Sequence, residues 1–242
     1  MNTTTIAVIG IIVLLLLMFN GMNIGWAMLA IGFFGYAIIV NFKAAFGLLA
    51  TVPTTQAANY ALTVIPLFIL MGNLAFASGM SAGLYNAADK LLCGLPGGLA
   101  CATIGASALF GAICGSTQAT AATIGLIAIP EMRKYGYDDR LSCGSVSVGG
   151  TLGIMIPPSS PMIVYGLLSM ESIGKLFAAG ILPGILEAAL CIVTVVFLVK
   201  RNPGLVKNRV KYSAKERLKS LVGLIPMAIL FGIVFVGMFT GL

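Results

Sequence analysis

Between Gly149 and Gly166 the chain reads GGTLGIMIPPSSPMIVYG, an apolar stretch cut by three prolines. Proline has no backbone N–H, so Pro157, Pro158 and Pro161 cannot donate to the carbonyls of Gly153, Ile154 and Pro157. In hydrocarbon an unpaired backbone group costs on the order of several kcal/mol. Non-helical backbone therefore survives at membrane depth only where protein covers it or where it lines a polar cavity. The stretch reads as a helix broken inside a membrane, which marks a candidate binding site. A proline kink patched by the Ser159 and Ser160 hydroxyls is the plainer reading of the same residues.

That the surroundings are a membrane follows from composition. Of 242 residues, 59% are hydrophobic and 9% charged, far below the ~25% charged residues of soluble domains. The chain reads as an all-α polytopic membrane protein. Histidine is absent, which excludes imidazole catalysis and His-ligated metal sites. Cys93, Cys101, Cys114, Cys143 and Cys191 show no paired short spacing and read as small apolar packing residues. The N-terminal run has no basic n-region and no small-residue cleavage site, so it is expected to be a retained helix and not a signal peptide.

Taken in order, residues 1–42 hold two apolar runs separated by a turn at Asn20-Gly21-Met22-Asn23. Residues 43–96 begin with a mixed segment, 43–58, suited to the interface, and continue as a crossing over 60–80 with Pro66 as a kink. Residues 97–134 are two apolar arms around GAICGSTQATAATIG. They fit either two spanning helices or a re-entrant hairpin with Gly115, Ser116, Thr117 and Gln118 at its tip. Length does not decide between them, and the uncharged, small-residue tip favours the hairpin. Residues 139–170 form the interrupted helix and 171–199 a crossing kinked at Pro183. Within that crossing, Glu187 is expected to be protonated or paired with a polar group of the protein, outside the site. Residues 200–219 are a basic loop, and 220–242 a last crossing.

The basic loop orients the chain. Lys200, Arg201, Lys207, Arg209, Lys211, Lys215, Arg217 and Lys219 face Glu216 alone, so the loop is expected in the cytoplasm. Counting crossings back from it puts the stretches at 131–140 and 86–97 on the same side and the N-terminus on the other. Twelve of the 14 Lys and Arg residues then lie inside, and Lys43 and Lys175 outside. Nucleic-acid binding by the basic run is not expected, because it lies between membrane helices with Tyr212 as its one interleaved aromatic.

Five stretches in order carry a family resemblance: IPLFILMGN at Ile65–Asn73, GSTQATAATIG from Gly115, Gly136-Tyr137, GTLGIMIPPSSPMIVYG from Gly150, and SIGKLFAAGILPGIL at Ser172–Leu186. Together they resemble the large membrane subunit of tripartite ATP-independent periplasmic (TRAP) transporters. The resemblance implies one inverted-repeat unit with a re-entrant hairpin at 97–134 and an interrupted helix at 139–170, followed by the first helix of a second repeat. It implies a bacterial inner-membrane secondary transporter with an elevator mechanism, driven by sodium as coupling ion and needing no organic cofactor. The implied partners are a small membrane subunit, a periplasmic substrate-binding protein, the lipid bilayer and a small organic acid of the C4-dicarboxylate or sugar-acid type. On this reading Gly115, Ser116, Thr117, Gly149, Thr151 and Gly153 cage sodium with carbonyl and hydroxyl oxygens. Pro157, Pro158, Ser159 and Ser160 shape the break and face the anionic substrate.

The chain departs from the family in holding one hairpin and one interrupted helix where the family has two of each, so it is expected to be half of a transporter. Two other function classes compete: a transport-incompetent membrane scaffold, and an intramembrane hydrolase with Ser116 or Ser159 as nucleophile. The hydrolase would need a Lys or Asp partner at membrane depth, and neither motif holds one.

Overall fold

The computed structural model describes residues 3–208 and 212–240. Arg209 and Lys211 of the basic stretch, and Gly241-Leu242, lie outside the described residues. The chain divides into two units, 1–62 and 63–242.

The first unit holds three helices: α1 (Thr3–Phe19), α2 (Ile24–Ile39) and α3 (Phe42–Ala57). The Asn20–Asn23 stretch is the turn its residues call for. Gly21 takes a φ of +82°, and the Asn23 side chain accepts the Gly25 N–H at 2.9 Å to start α2. Asn41 starts α3 in the same way, accepting the Ala44 N–H at 2.7 Å. Such caps satisfy donors that the first helical turn leaves free. The polar residues of α3 bond back onto their own helix: Thr51 to the Gly47 carbonyl, and Thr54 and Thr55 to that of Thr51.

The second unit opens with α4 (Val64–Ala77) and α5 (Met80–Leu92), which meet at a 68° bend. The expected kink at Pro66 in a crossing over 60–80 is thus corrected. Pro66 lies in the first turn of α4, where no intrahelical N–H bond is lost, and proline is tolerated there. The chain turns instead at Gly79, in the left-handed region at φ +77°.

Next come α6 (Gly98–Cys114) and α7 (Thr117–Lys134), joined by Gly115 and Ser116 alone. They are followed by α8 (Asp139–Met155), α9 (Ser160–Ser169) and α10 (Ile173–Arg201). A short α11 (Ala214–Ser220) leads into α12 (Ile225–Thr240). Helix α6 is the centre of the core. Nearly all of its residues are buried, and their small side chains let α8 approach closely, the means by which membrane helices gain packing contact.

The stretches at 86–97 and 131–140 and the described residues of 200–219 gather at one end of this unit. Tyr137 and Val206 form an isolated antiparallel bridge, and the Asp138 N–H donates to the Leu205 carbonyl at 3.0 Å. Tyr212 reaches across to Asp89 with a 2.7 Å hydrogen bond. From that end α6 and α8 each run 17 residues, about 25 Å at ~1.5 Å per residue. Both stop at the same level, where Gly115 meets the α8–α9 break. Helix α9 then continues for ten residues beyond it. The α6–α7 pair is therefore a hairpin whose tip stops short of the far end of the α8–α9 span. Among the described residues three helical stretches, 139–169, 173–201 and 215–237, are long and apolar enough to cross a membrane, and the bent α4–α5 pair makes a fourth if taken as one span.

Candidate functional site

The prolines act unequally. Helix α8 ends at Met155, and Ile156 turns extended at its end. Pro157 and Pro158 sit at the break and cannot bond the Gly153 and Ile154 carbonyls. Pro161 lies instead in the first turn of α9, where its missing N–H costs nothing. The expectation that all three prolines break the helix is corrected to two.

The hairpin tip rests on this break. Gly115 ends α6 at φ +59°, and a Cβ there would lie 2.9 Å from the Pro158 carbonyl oxygen and 3.5 Å from the Ser160 nitrogen. Only a residue without a side chain fits both that dihedral and that gap. Along α8 the approach continues through a stripe of glycines. A Cβ at Gly153 would meet the Thr120 hydroxyl at 2.7 Å and the Ser116 carbonyl at 3.1 Å. One at Gly150 would meet the Thr117 carbonyl at 3.2 Å, and one at Gly149 the Ser107 hydroxyl at 2.6 Å. Helix α8 thus lies in the crotch of the hairpin with backbone against backbone.

Four helix ends converge as a result. The C-termini of α6 and α8 bring carbonyl oxygens and partial negative charge, and the N-termini of α7 and α9 bring N–H groups and partial positive charge. Ser116 starts α7, its hydroxyl accepting the Ala119 N–H at a long 3.4 Å. Ser159 starts α9 fully buried, and its hydroxyl has no hydrogen-bond partner. The buried Ser107 hydroxyl, facing Gly149, is unpartnered too. Buried polar atoms are seldom left so. Both fit a site that takes an ion, water or a polar ligand group.

Of the expected sodium ligands, Gly115, Ser116, Thr117 and Gly153 lie where the hairpin tip meets α8, and Gly149 lies one turn before Gly153, against Ser107 of α6. Thr151 lies elsewhere. Its hydroxyl donates to the Val148 carbonyl at 2.7 Å and lies 3.3 Å from Glu187 Oε1, on the side of α8 turned to α10. Glu187 thereby gains a polar contact inside the protein, while its Oε2 is buried and unpartnered. Pro157, Pro158, Ser159 and Ser160 all lie at the break.

Beside the tip, α4, α6 and α7 enclose a cavity of about 460 Å³ lined by Asn73, Phe110, Cys114, Ser116 and Thr123 among others, within the size range of small-ligand sites. Asn73, Thr123, Thr120 and Ser107 were absent from the expected set. A signal existed for two of them, since Ser116, Thr120 and Thr123 share one helical face by their spacing. The donor set around tip and break is neutral and mostly oxygen: carbonyls, hydroxyls and the amides of Asn73 and Gln118, with the Cys114 thiol beside them. No cluster of three or more Cys, Asp or Glu able to hold a metal exists among the described residues. Hard monovalent cations accept such a shell, and soft transition metals do not. For hydrolysis, the Ser116 hydroxyl meets Gln118 and Ala119 and the Ser159 hydroxyl has no partner, so neither has a base among the described residues.

Comparison with known proteins agrees with this architecture. Residues 11–242 match the family described as tripartite ATP-independent periplasmic transporter, DctM component. The isethionate TRAP transporter permease protein DctMQ of Oleidesulfovibrio alaskensis is 46% identical over 57% of the chain and 22% of its own length. The C4-dicarboxylate TRAP transporter large permease protein DctM of Pseudomonas aeruginosa is 38% identical over 75% of the chain and 43% of its own length. The sialic acid TRAP transporter large permease protein SiaM of Vibrio cholerae is 31% identical over 93% and 52%. The chain thus spans at most about half the length of these relatives. With a profile match over nearly all of its residues, and a hairpin and broken helix in the matched region, this chain belongs to the DctM component family of TRAP transporters, a family of multi-pass membrane permeases.

Proposed function

We propose that the chain forms part of the large membrane subunit of a sodium-coupled importer of small organic anions, of the C4-dicarboxylate or sugar-acid type, working by an elevator motion in a bacterial inner membrane. A small membrane subunit and a periplasmic binding protein are its partners. The observation that carries this is the convergence of four helix ends around a neutral, mostly oxygen donor set. Sodium sits against the α6 and α8 C-termini, among the carbonyls around Gly115, Ser116, Thr117, Gly149 and Gly153. Ser159 supplies a hydroxyl there, in place of Thr151, whose own hydroxyl is turned to Val148 and Glu187. The substrate carboxylate sits toward the α7 and α9 N-termini, where Ser160 and the free N–H groups of α9 meet it, and Pro157 and Pro158 hold the break open. The substrate class rests on relatives named for isethionate, C4-dicarboxylates and sialic acid, all of them acids.

The test is uptake in proteoliposomes holding the chain, the small subunit and a second repeat, with the loaded binding protein outside. An inward sodium gradient should drive accumulation of an organic acid, and collapsing it should abolish uptake. Uptake indifferent to sodium would overturn the coupling. Insertion without any uptake would favour the scaffold reading. In a symmetric mechanism this chain without a second repeat inserts and does not transport.

A further inference from the structure

Helices α8 and α10 do not close against each other along their whole length. From Met155 to Thr151 they touch: Gly180 lies against the Met155 carbonyl, Gly184 against Ile156, and Glu187 against Thr151. Toward the end where the basic stretch begins they part. A cleft of about 340 Å³ opens there, lined by Arg140, Gly144, Val148, Cys191, Val195 and Leu198 among others. Its walls are apolar in effect. The hydroxyls of Ser145 and Thr194 are spent on the carbonyls of Leu141 and Leu190 in their own helices.

Charge is confined to the mouth. The neighbouring cations are taken, Arg133 by Asp139 at 2.7 Å and Lys134 by Glu131 at 3.6 Å. Arg140 is exposed and its guanidinium has no carboxylate within ion-pair distance among the described residues. Lys200 and Arg201 follow Leu198 in the last turn of α10. From Arg140 to Val148 the cleft is about 12 Å deep, at ~1.5 Å per residue.

We propose that this cleft holds one acyl chain of an anionic phospholipid whose phosphate is bound by Arg140. Both walls belong to membrane-spanning stretches, 139–169 and 173–201, so lipid is what an opening between them meets. A slot of about 340 Å³ and about 12 Å depth suits a single hydrocarbon chain. Phosphate matches a guanidinium in shape and charge, and basic pockets between membrane helices hold anionic headgroups on the cytoplasmic side. The site is independent of the transport reading.

The test uses the purified chain. It is equilibrated in vesicles of equal phosphatidylglycerol and phosphatidylcholine, extracted in mild detergent, and its retained lipids are counted by native mass spectrometry. Phosphatidylglycerol should be retained about five-fold over phosphatidylcholine, the preference that one Arg near a charged headgroup supplies. Arg140→Gln should bring the ratio toward one. Gly144→Leu should release both lipids, because a Cβ at Gly144 meets nothing within 4 Å and a larger side chain can enter the cleft. Equal retention of the two lipids by the unmodified chain would overturn the proposal, as would full retention by a folded Gly144→Leu variant. In the chain purified together with a membrane subunit, loss of that subunit from Gly144→Leu with lipid retained would assign the cleft to protein and also overturn it.

Discussion

At Gly115 two constraints coincide: a left-handed backbone and a neighbouring carbonyl at the distance where a Cβ would stand. Gly115→Ala should cost about 1–2 kcal/mol for the dihedral alone and push the tip off the break. Gly47→Ala, in an open helical position, should stabilise slightly. Thermal melts of the two variants in the same detergent check this, and equal melting points would contradict the fit of tip to break. Glu187 offers a second comparison. Glu187→Gln keeps a polar group that can donate to the Thr151 hydroxyl, whereas Glu187→Ala strips Thr151 of its cross-helix partner, and the Ala variant should melt lower by about 1 kcal/mol. Ser116, Thr117, Pro157 and Pro158 stand out as candidate site residues because polar or N–H-less groups in apolar sequence must be explained locally. Thr151 misled for a reason of geometry. Two residues before Gly153 on a helix of 3.6 residues per turn, it lies on another face, turned to an α10 whose position no local pattern encodes. Ser107 and Asn73 were missed because they become part of the site only through contacts across helices.

Among elements, the broken helix and the hairpin were readable because both rest on local chemistry, the missing N–H of Pro157 and Pro158 and the small-residue tip. The α4–α5 bend was not. Whether Pro66 kinks a helix or starts one depends on where the helix begins, and the preceding 3₁₀ turn at 60–63 sets that start. The gathering of 86–97, 131–140 and 200–219 at one end agrees with counting crossings, and its fastening is tertiary. Tyr212 donates to Asp89, and the Lys90 ammonium stands 5.8 Å from the centre of its ring. Burial first, then the bond to Asp89, push the Tyr212 phenol upward, so it remains the proton donor at neutral pH. Tyr212→Phe should therefore loosen the 200–219 stretch without unfolding the bundle. Limited trypsin digestion should cut after Lys207 or Arg217 several times faster in the variant, and an unchanged cleavage rate would show that the hydrogen bond does not hold the stretch.

For the whole molecule, the orientation and the coupling site are separable claims. By the positive-inside rule the basic stretch is expected in the cytoplasm, so a periplasm-active reporter fused after Val206 should be silent and one at the N-terminus active. Reversal of that pattern would turn the molecule over and move the proposed lipid cleft to the other leaflet. The coupling claim is that sodium binds where the hairpin tip meets the broken helix, and it is tested most directly at the buried, unpartnered Ser159 hydroxyl. In a transporter completed by its membrane partners, the measurement is the sodium concentration for half-maximal uptake in Ser159→Ala. Losing one oxygen ligand worth about 1.4 kcal/mol should raise that concentration about ten-fold at normal expression. An unchanged value in a well-expressed variant would contradict the site.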